Sequence, residues 1–284
     1  AGLLATAIGE RVPSTERPPW LMLPILTCEA VEGDWEQAYH LAAALEIGRI
    51  AAGCLDEWQD QDTDDALWKK IGPGQTVNLA TAMIGLSQLS LIRLVDLGTE
   101  PAMIVNLQKE FSLTLLQMCA GQHADLSDDG SLGDYEAVAG AKSGSLLRLG
   151  CRAGAMVAGA GSDTVACYGE FGYHLGILAQ AWNDLWGLGG TKGKEDIGHS
   201  RTLPILAALA MDRTQYQPHS AEGQAGQLYA LIQLQAFHER AAEALARCPV
   251  PGRLAMFLDA YAPSHLLSGA TPSARSARKD DDDS

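Results

Sequence analysis

Two acidic clusters are the first places in this chain where side chains could do chemistry together. In Asp56-Glu57-Trp58-Gln59-Asp60 the two aspartates are i and i+4, so on a helix they share a face, with Glu57 beside them. Like charges at that spacing destabilise a helix unless a cation bridges them or water screens them. A hard divalent ion bridges through oxygen ligands, and magnesium favours one or two carboxylates completed by substrate phosphates. A solvated helix end running into the acidic stretch 60–65 would be screened instead, and the spacing alone leaves both readings open. The second cluster, Gln180-Ala181-Trp182-Asn183-Asp184-Leu185-Trp186-Gly187, brings Gln180, Asn183, Asp184 and Gly187 to one face. A glycine-rich stretch follows (187–193), then Lys194, Asp196 and Arg201. An amide and a carboxylate ahead of basic residues suit a metal and anion site, and they suit hydrogen bonding at a helix end equally well.

Both clusters need long helices to position them. Apolar residues recur at i, i+3, i+4 and i+7 through most of the chain, and alternating strand patterns are rare. The spacing predicts helices near 34–60, 75–97, 101–126, 132–160, 163–188, 202–211, 221–247 and 251–262. Turn residues separate them, as at Gly72-Pro73-Gly74, and Pro101 and Pro204 suit first helical turns. The expected fold is all-α: one bundle of long helices around a deep central cavity, over residues 1–268. Residues 269–284 show no apolar pattern, end in Asp280 to Asp283, and read as a disordered, acidic-ended tail.

The chain has 284 residues, 47% of them hydrophobic, and a net charge of −15. Such acidity argues against nucleic acid and against anionic lipid, both of which call for a basic face. Apolar runs are broken by polar residues before reaching the roughly 18 residues of a membrane span. Six scattered cysteines without a CxxC pair read as reduced thiols of a cytoplasmic protein. If the ligand is anionic, a protein this acidic must find positive charge elsewhere.

In chain order, several segments resemble the trans-polyprenyl diphosphate synthases of the class I isoprenoid synthase superfamily. They are Leu45 to Arg49 leading into Asp56 to Asp60, then Gly121-Gln122-His123-Ala124-Asp125, then Tyr135 with Lys142-Ser143-Gly144-Ser145, then Gln180 to Asp184, and finally Asp196 with Thr202-Leu203-Pro204. The resemblance implies an enzyme whose two clusters face each other across a cavity mouth and hold three magnesium ions around an allylic prenyl diphosphate. It implies Asp56, Asp60 and Asp184 as metal ligands, with Glu57 and Asn183 beside them. Lys142, Gln180, Lys194 and Arg201 would contact diphosphate. Ala51 and Ala52, one turn before Asp56, would line the cavity, their small size suiting a chain of C15 or longer. Tyr173 and Ile177, on the face of Gln180 and Asp184, would line it too. A homodimer is also implied, and residues 75–97 are an apolar candidate for its interface.

The departures from that pattern are specific. Elongating members carry an arginine pair after the first cluster, where this chain has Thr63 to Trp68. Their isopentenyl diphosphate site uses a lysine and an arginine near the amino terminus and a histidine on the first acidic helix. Here only Arg17 keeps its place, and Arg49 stands at the histidine position. The second cluster reads Asn-Asp-x-x-Gly, without its outer carboxylates. The expected function is therefore ionisation of a prenyl diphosphate as in a terpene synthase. The alternatives are chain elongation or another prenyltransferase activity, and a non-catalytic partner subunit.

Overall fold

The computed structural model describes residues 19–33, 35–61, 66–127, 131–188, 201–211 and 217–268. Arg17, Lys194 and the tail 269–284 lie outside them. All regular structure among the described residues is helical: α1 (Met22–Ala30), α2 (Trp35–Gln59), α3 (Leu67–Ile71), α4 (Pro73–Ile92), α5 (Pro101–Asp125), α6 (Tyr135–Ala139), α7 (Ser145–Val157), α8 (Ser162–Leu188), α9 (Leu203–Met211), α10 (Ala221–Arg247), α11 (Ala255–Ala260) and α12 (Ser264–Ser268). The all-α bundle is borne out.

The central element is α8. Tyr168, Phe171, Leu175, Leu178 and Trp182 recur three and four apart and are buried, a stripe that only a helix packed along its whole length can hide. Burial contributes about 1.5–3 kcal/mol for each such side chain. α10 meets this stripe with Ala230, Leu234, Phe237 and Ala241. On its other side α8 lies against α7, and glycine allows the close approach: a Cβ at Gly172 or Gly176 would fall 2.5 Å from the Leu147 carbonyl oxygen or 2.4 Å from that of Ser143. A second layer packs α2 against α4 through Ile50, Ala51, Cys54, Ala80 and Met83.

Differences from the expected boundaries have local causes. The helix expected over 132–160 begins as a 3-10 turn (Leu132–Asp134) capped reciprocally by Ser131 and Asp134, and continues as α6. It then widens into a π-turn at Gly140–Gly144 before resuming as α7. Tyr173 packs against that turn, where a Cβ at Gly140 would fall 2.2 Å from its hydroxyl oxygen. The segment expected over 251–262 likewise opens with a 3-10 turn, Gly252–Leu254. α1, α3 and α12 are too short to display periodicity. Pro24 is the third residue of α1, where no backbone donor is required.

Pro73–Leu97 is apolar and long enough to cross a membrane by composition, with mean hydropathy 1.3, although polar residues interrupt it. Thr76, Ala80, Met83, Ser87 and Leu91 face the protein, while Leu89, Ile92, Val95 and Leu97 are exposed. Between α1, α2 and α7 lies an apolar slot of about 30 Å³ lined by Trp20, Leu23, Leu45, Arg49 and Leu147. That is the room of a water molecule, so a prenyl chain would have to part these helices to enter there.

Candidate active site

Three helices deliver the first cluster. Asp56 and Asp60 sit in the last turn of α2 and just beyond it, Gln122 and Asp125 in the last turn of α5, and Lys142 in the π-turn. The Lys142 Nζ donates to Asp125 Oδ2 at 2.5 Å and lies 3.1 Å from Asp56 Oδ1. Gln122 Nε2 donates to Asp60 Oδ1 at 2.9 Å. π-Turns recur at functional sites because the extra residue re-aims the side chains around it. Here the turn sends Lys142 towards α2 and α5 and Ser143 towards α8.

The electrostatics follow from this packing. Burial alone would lower the Lys142 pKa, but Asp56 and Asp125 outweigh it and hold the ammonium above the usual lysine range. Asp60 is pushed up to about 6, first by loss of solvation and then by Asp56, against the pull of Lys142 and Gln122. Among the described residues one cation thus faces three carboxylates, and Asp60 is the least compensated.

The second cluster is arranged differently. Asp184 is 7% exposed, and its Oδ2 accepts from Tyr135 Oη at 2.7 Å and from the Leu203 backbone N–H at 3.0 Å. Its Oδ1 accepts from Gln180 Nε2 at 3.1 Å, and Gln180 Oε1 accepts from Ser143 Oγ at 2.8 Å. Burial raises the Asp184 pKa and these donors pull it back. Asn183 is exposed.

The other residues singled out from sequence are scattered. Arg49 is bound bidentately by Glu46 at 2.8 and 2.6 Å. Arg201 is half-buried just before α9. Ala51 packs in the α2–α4 interface and Ala52 is partly buried. Ile177 is in the core, and Tyr173 lies beneath the Arg148 guanidinium, 4.1 Å from its ring centroid. Gln122, Asp125, Tyr135 and Ser143 were not assigned roles from sequence, though the i,i+3 pair Gln122 and Asp125 carried a readable signal.

Residues fit for a metal are concentrated on the α2 side. Asp56, Asp60 and the Gln122 amide offer oxygen only, and Gln122 Oε1 is buried without a hydrogen-bond donor. Oxygen-only donor sets suit magnesium. Among the described residues no three acidic, histidine or cysteine side chains converge tightly enough to hold an ion unaided. Magnesium does not require that, since phosphate oxygens and water complete its shell.

The pattern of the family described as Polyprenyl synthetase matches residues 19–239. A geranylgeranyl diphosphate synthase of Mycobacterium tuberculosis is 29% identical over 195 residues, covering 63% of this chain and 55% of that protein. The tryptophan prenyltransferase ComQ of Bacillus subtilis subsp. natto is 32% identical over 162 residues, covering 56% of this chain and 48% of that one. The chain thus spans about half the length of these curated relatives. Among solved structures, a geranylgeranyl pyrophosphate synthetase from the archaeon Geoglobus acetivorans superposes with a TM-score of 0.76 at 17% identity, over 94% of this chain and 90% of that one. A polyprenyl synthetase from Streptomyces coelicolor gives 0.67 at 24% identity, over 84% and 81%.

Proposed function

The chain belongs to the polyprenyl synthetase family, and from that membership we propose that it is a magnesium-dependent prenyltransferase acting on an allylic prenyl diphosphate. The observation that carries this reading is the convergence of Asp56, Asp60, Gln122, Asp125 and Lys142 at one end of the bundle. Asp56 and Asp60, with Glu57 next to them, would hold magnesium, which neutralises a departing diphosphate as a Lewis acid. That also supplies the positive charge an acidic chain needs for an anionic substrate. Lys142 would turn from Asp125 towards a diphosphate oxygen, and Arg201 would approach from the start of α9. Ser143 and Gln180 fix the turn on which Lys142 rides.

The acceptor we favour is not a second diphosphate. Arg49 has its charge matched by Glu46, so the slot beside it is apolar with a neutral rim. ComQ, one of the relatives, is named for prenylating tryptophan, and a neutral aromatic acceptor does not need the free cation that Arg49, paired with Glu46, no longer offers. The same Arg49–Glu46 pair keeps the terpene-synthase reading in second place, since ionisation without an acceptor also dispenses with a second diphosphate. The relatives' names, which concern prenyl synthesis and transfer, set the order.

We further propose a homodimer in which a second copy covers the exposed apolar face formed by Leu89, Ile92, Val105 and Leu116 on α4 and α5. The six cysteines form no disulfide, which fits a reducing compartment such as the cytoplasm.

The test is incubation with magnesium and geranyl, farnesyl or geranylgeranyl diphosphate, adding isopentenyl diphosphate, a tryptophan-containing peptide, or nothing. Prenylated peptide supports the favoured acceptor, and a longer diphosphate restores elongation. Hydrocarbon or alcohol without acceptor favours the cyclase. No consumption of any prenyl diphosphate would leave the partner-subunit reading.

A further inference from the structure

Asp184 stands apart from the other acidic residues of the site. The Asp56 side chain is 45% exposed and that of Asp125 25% exposed, whereas Asp184 is closed over at 7%. Its two oxygens take three donors from three places: Tyr135 at the start of α6, Gln180 one turn back on α8, and the Leu203 backbone at the start of α9. Through Gln180 the chain of bonds continues to Ser143, the neighbour of Lys142 in the π-turn. A carboxylate has about four lone-pair directions, and three are occupied here. Turning Asp184 towards an ion would strip partners from a buried phenol and a buried backbone N–H, each of which is costly to leave unsatisfied. The cluster's sequence agrees: Asn183, the exposed neighbour, carries no charge, and position 187 is glycine. The carboxylate that remains on this face is the buried one.

We propose that Asp184 is a positioning residue and not a metal ligand: it ties α6, the Ser143–Gln180 contact and the start of α9 together, and any ion is held from the α2 side. The proposal rests on the metal-dependent reading above and narrows it, since the second helix then contributes no carboxylate to the ions. Its effect on the reaction is indirect, through the orientation of the Lys142 turn and of Arg201, two residues before Leu203.

The experiment has two arms that fail independently. In the first, manganese binding in the presence of inorganic pyrophosphate is titrated by electron paramagnetic resonance for the full chain and for Asp184→Asn and Asp56→Asn. Loss of even an outer partner of a ligand costs about tenfold or more in metal affinity. Asp56→Asn is therefore expected to weaken binding by at least about tenfold, and Asp184→Asn by less than about threefold. A tenfold loss in Asp184→Asn would overturn the proposal. In the second arm, melting of the metal-free protein is compared for Tyr135→Phe, Asp184→Ala, Asp184→Asn and the Tyr135→Phe/Asp184→Ala pair. Asn keeps an oxygen for Tyr135 and Leu203, and the Ser143 hydroxyl can rotate to let Gln180 flip, so Asn should recover most of what Ala loses. The double variant should melt no lower than Asp184→Ala alone. Additive losses, or an Asn variant as unstable as Ala, would refute the tie. If the unsubstituted chain binds no manganese, the metal-dependent reading falls, and the second arm still decides the role of Asp184.

Discussion

Lys142→Met removes the one ammonium that the described residues place among Asp56, Asp60 and Asp125 while keeping most of the side-chain length, and its cost can be worked from the geometry. The bond to Asp125 is short and mostly shielded, with Lys142 14% and Asp125 25% exposed. A charge-assisted bond of that kind contributes about 1.5–3 kcal/mol. The contact to Asp56 involves a carboxylate 45% exposed, so solvent screening discounts it to about 0.5–1 kcal/mol. The sum is about 2–4 kcal/mol, and in a chain this size each kcal/mol moves the melting temperature by about 2–4 °C. Calorimetry at pH 7 in a chelator should therefore show the variant melting about 4–16 °C lower. Because the folded-state pKa of Lys142 is raised, its contribution is complete below the ordinary lysine value of about 10.4 and fades only as pH rises through the higher folded value. The deficit should accordingly be the same at pH 7 and pH 9. Added magnesium should stabilise the variant more than the parent, because an external cation replaces the missing one. A variant melting within about 1 °C of the parent in chelator would refute the reasoning, since the three carboxylates would then need no ammonium.

Asp60→Asn tests the neighbouring charge. The folded pKa of Asp60 is raised to about 6, so its ionisation subtracts stability as pH climbs from the ordinary aspartate range to about 6. The variant should match the parent near pH 4 and exceed it at pH 7 in chelator, read by urea unfolding at both values. Gly176→Ala drives a methyl to 2.4 Å from the Ser143 carbonyl oxygen, which should cost about 1–3 kcal/mol in chemical denaturation and lower the proposed prenyl-transfer activity by displacing the Lys142 turn. Leu116→Glu, on the exposed face of α5, should convert the proposed dimer to monomer in analytical ultracentrifugation. An unchanged sedimentation coefficient would move the interface elsewhere.

The long helices were legible because burial writes itself as period: the stripe from Tyr168 to Trp182 can be counted in the sequence and is buried in the structure. The π-turn was not, since its one extra residue leaves the apolar rhythm of 132–160 almost intact, and only the glycines at 140 and 144 hint at it. In the site, the pairing of Asp56 with Asp60 was readable from i,i+4 spacing. The meeting of Asp56 with Lys142, some 80 residues on, was not legible: the resemblance set Lys142 against diphosphate, and no local rule links it to the aspartates. The burial of Asp184 was hidden for a similar reason. On a helical wheel it shares a face with Asn183, and nothing in that wheel tells which of two adjacent polar residues lies under Tyr135 and Leu203.

The widened turn at Gly140–Gly144 makes residue count itself a property of the site. α6 and α7 form nearly one rod, and the wide turn absorbs the surplus residue between them, which keeps Tyr135 in phase with Leu147. Were the turn to tighten into ordinary α-helix with every residue kept, one end would rotate by about 100° relative to the other. Either Tyr135 would swing away from Asp184 or the stripe of α7 would leave α8, although no side chain named in the site had been changed. Between Tyr135 and Leu147 the chain could lose one residue and keep its two rods in phase, but it would lose the wide turn that sends Lys142 and Ser143 to different helices.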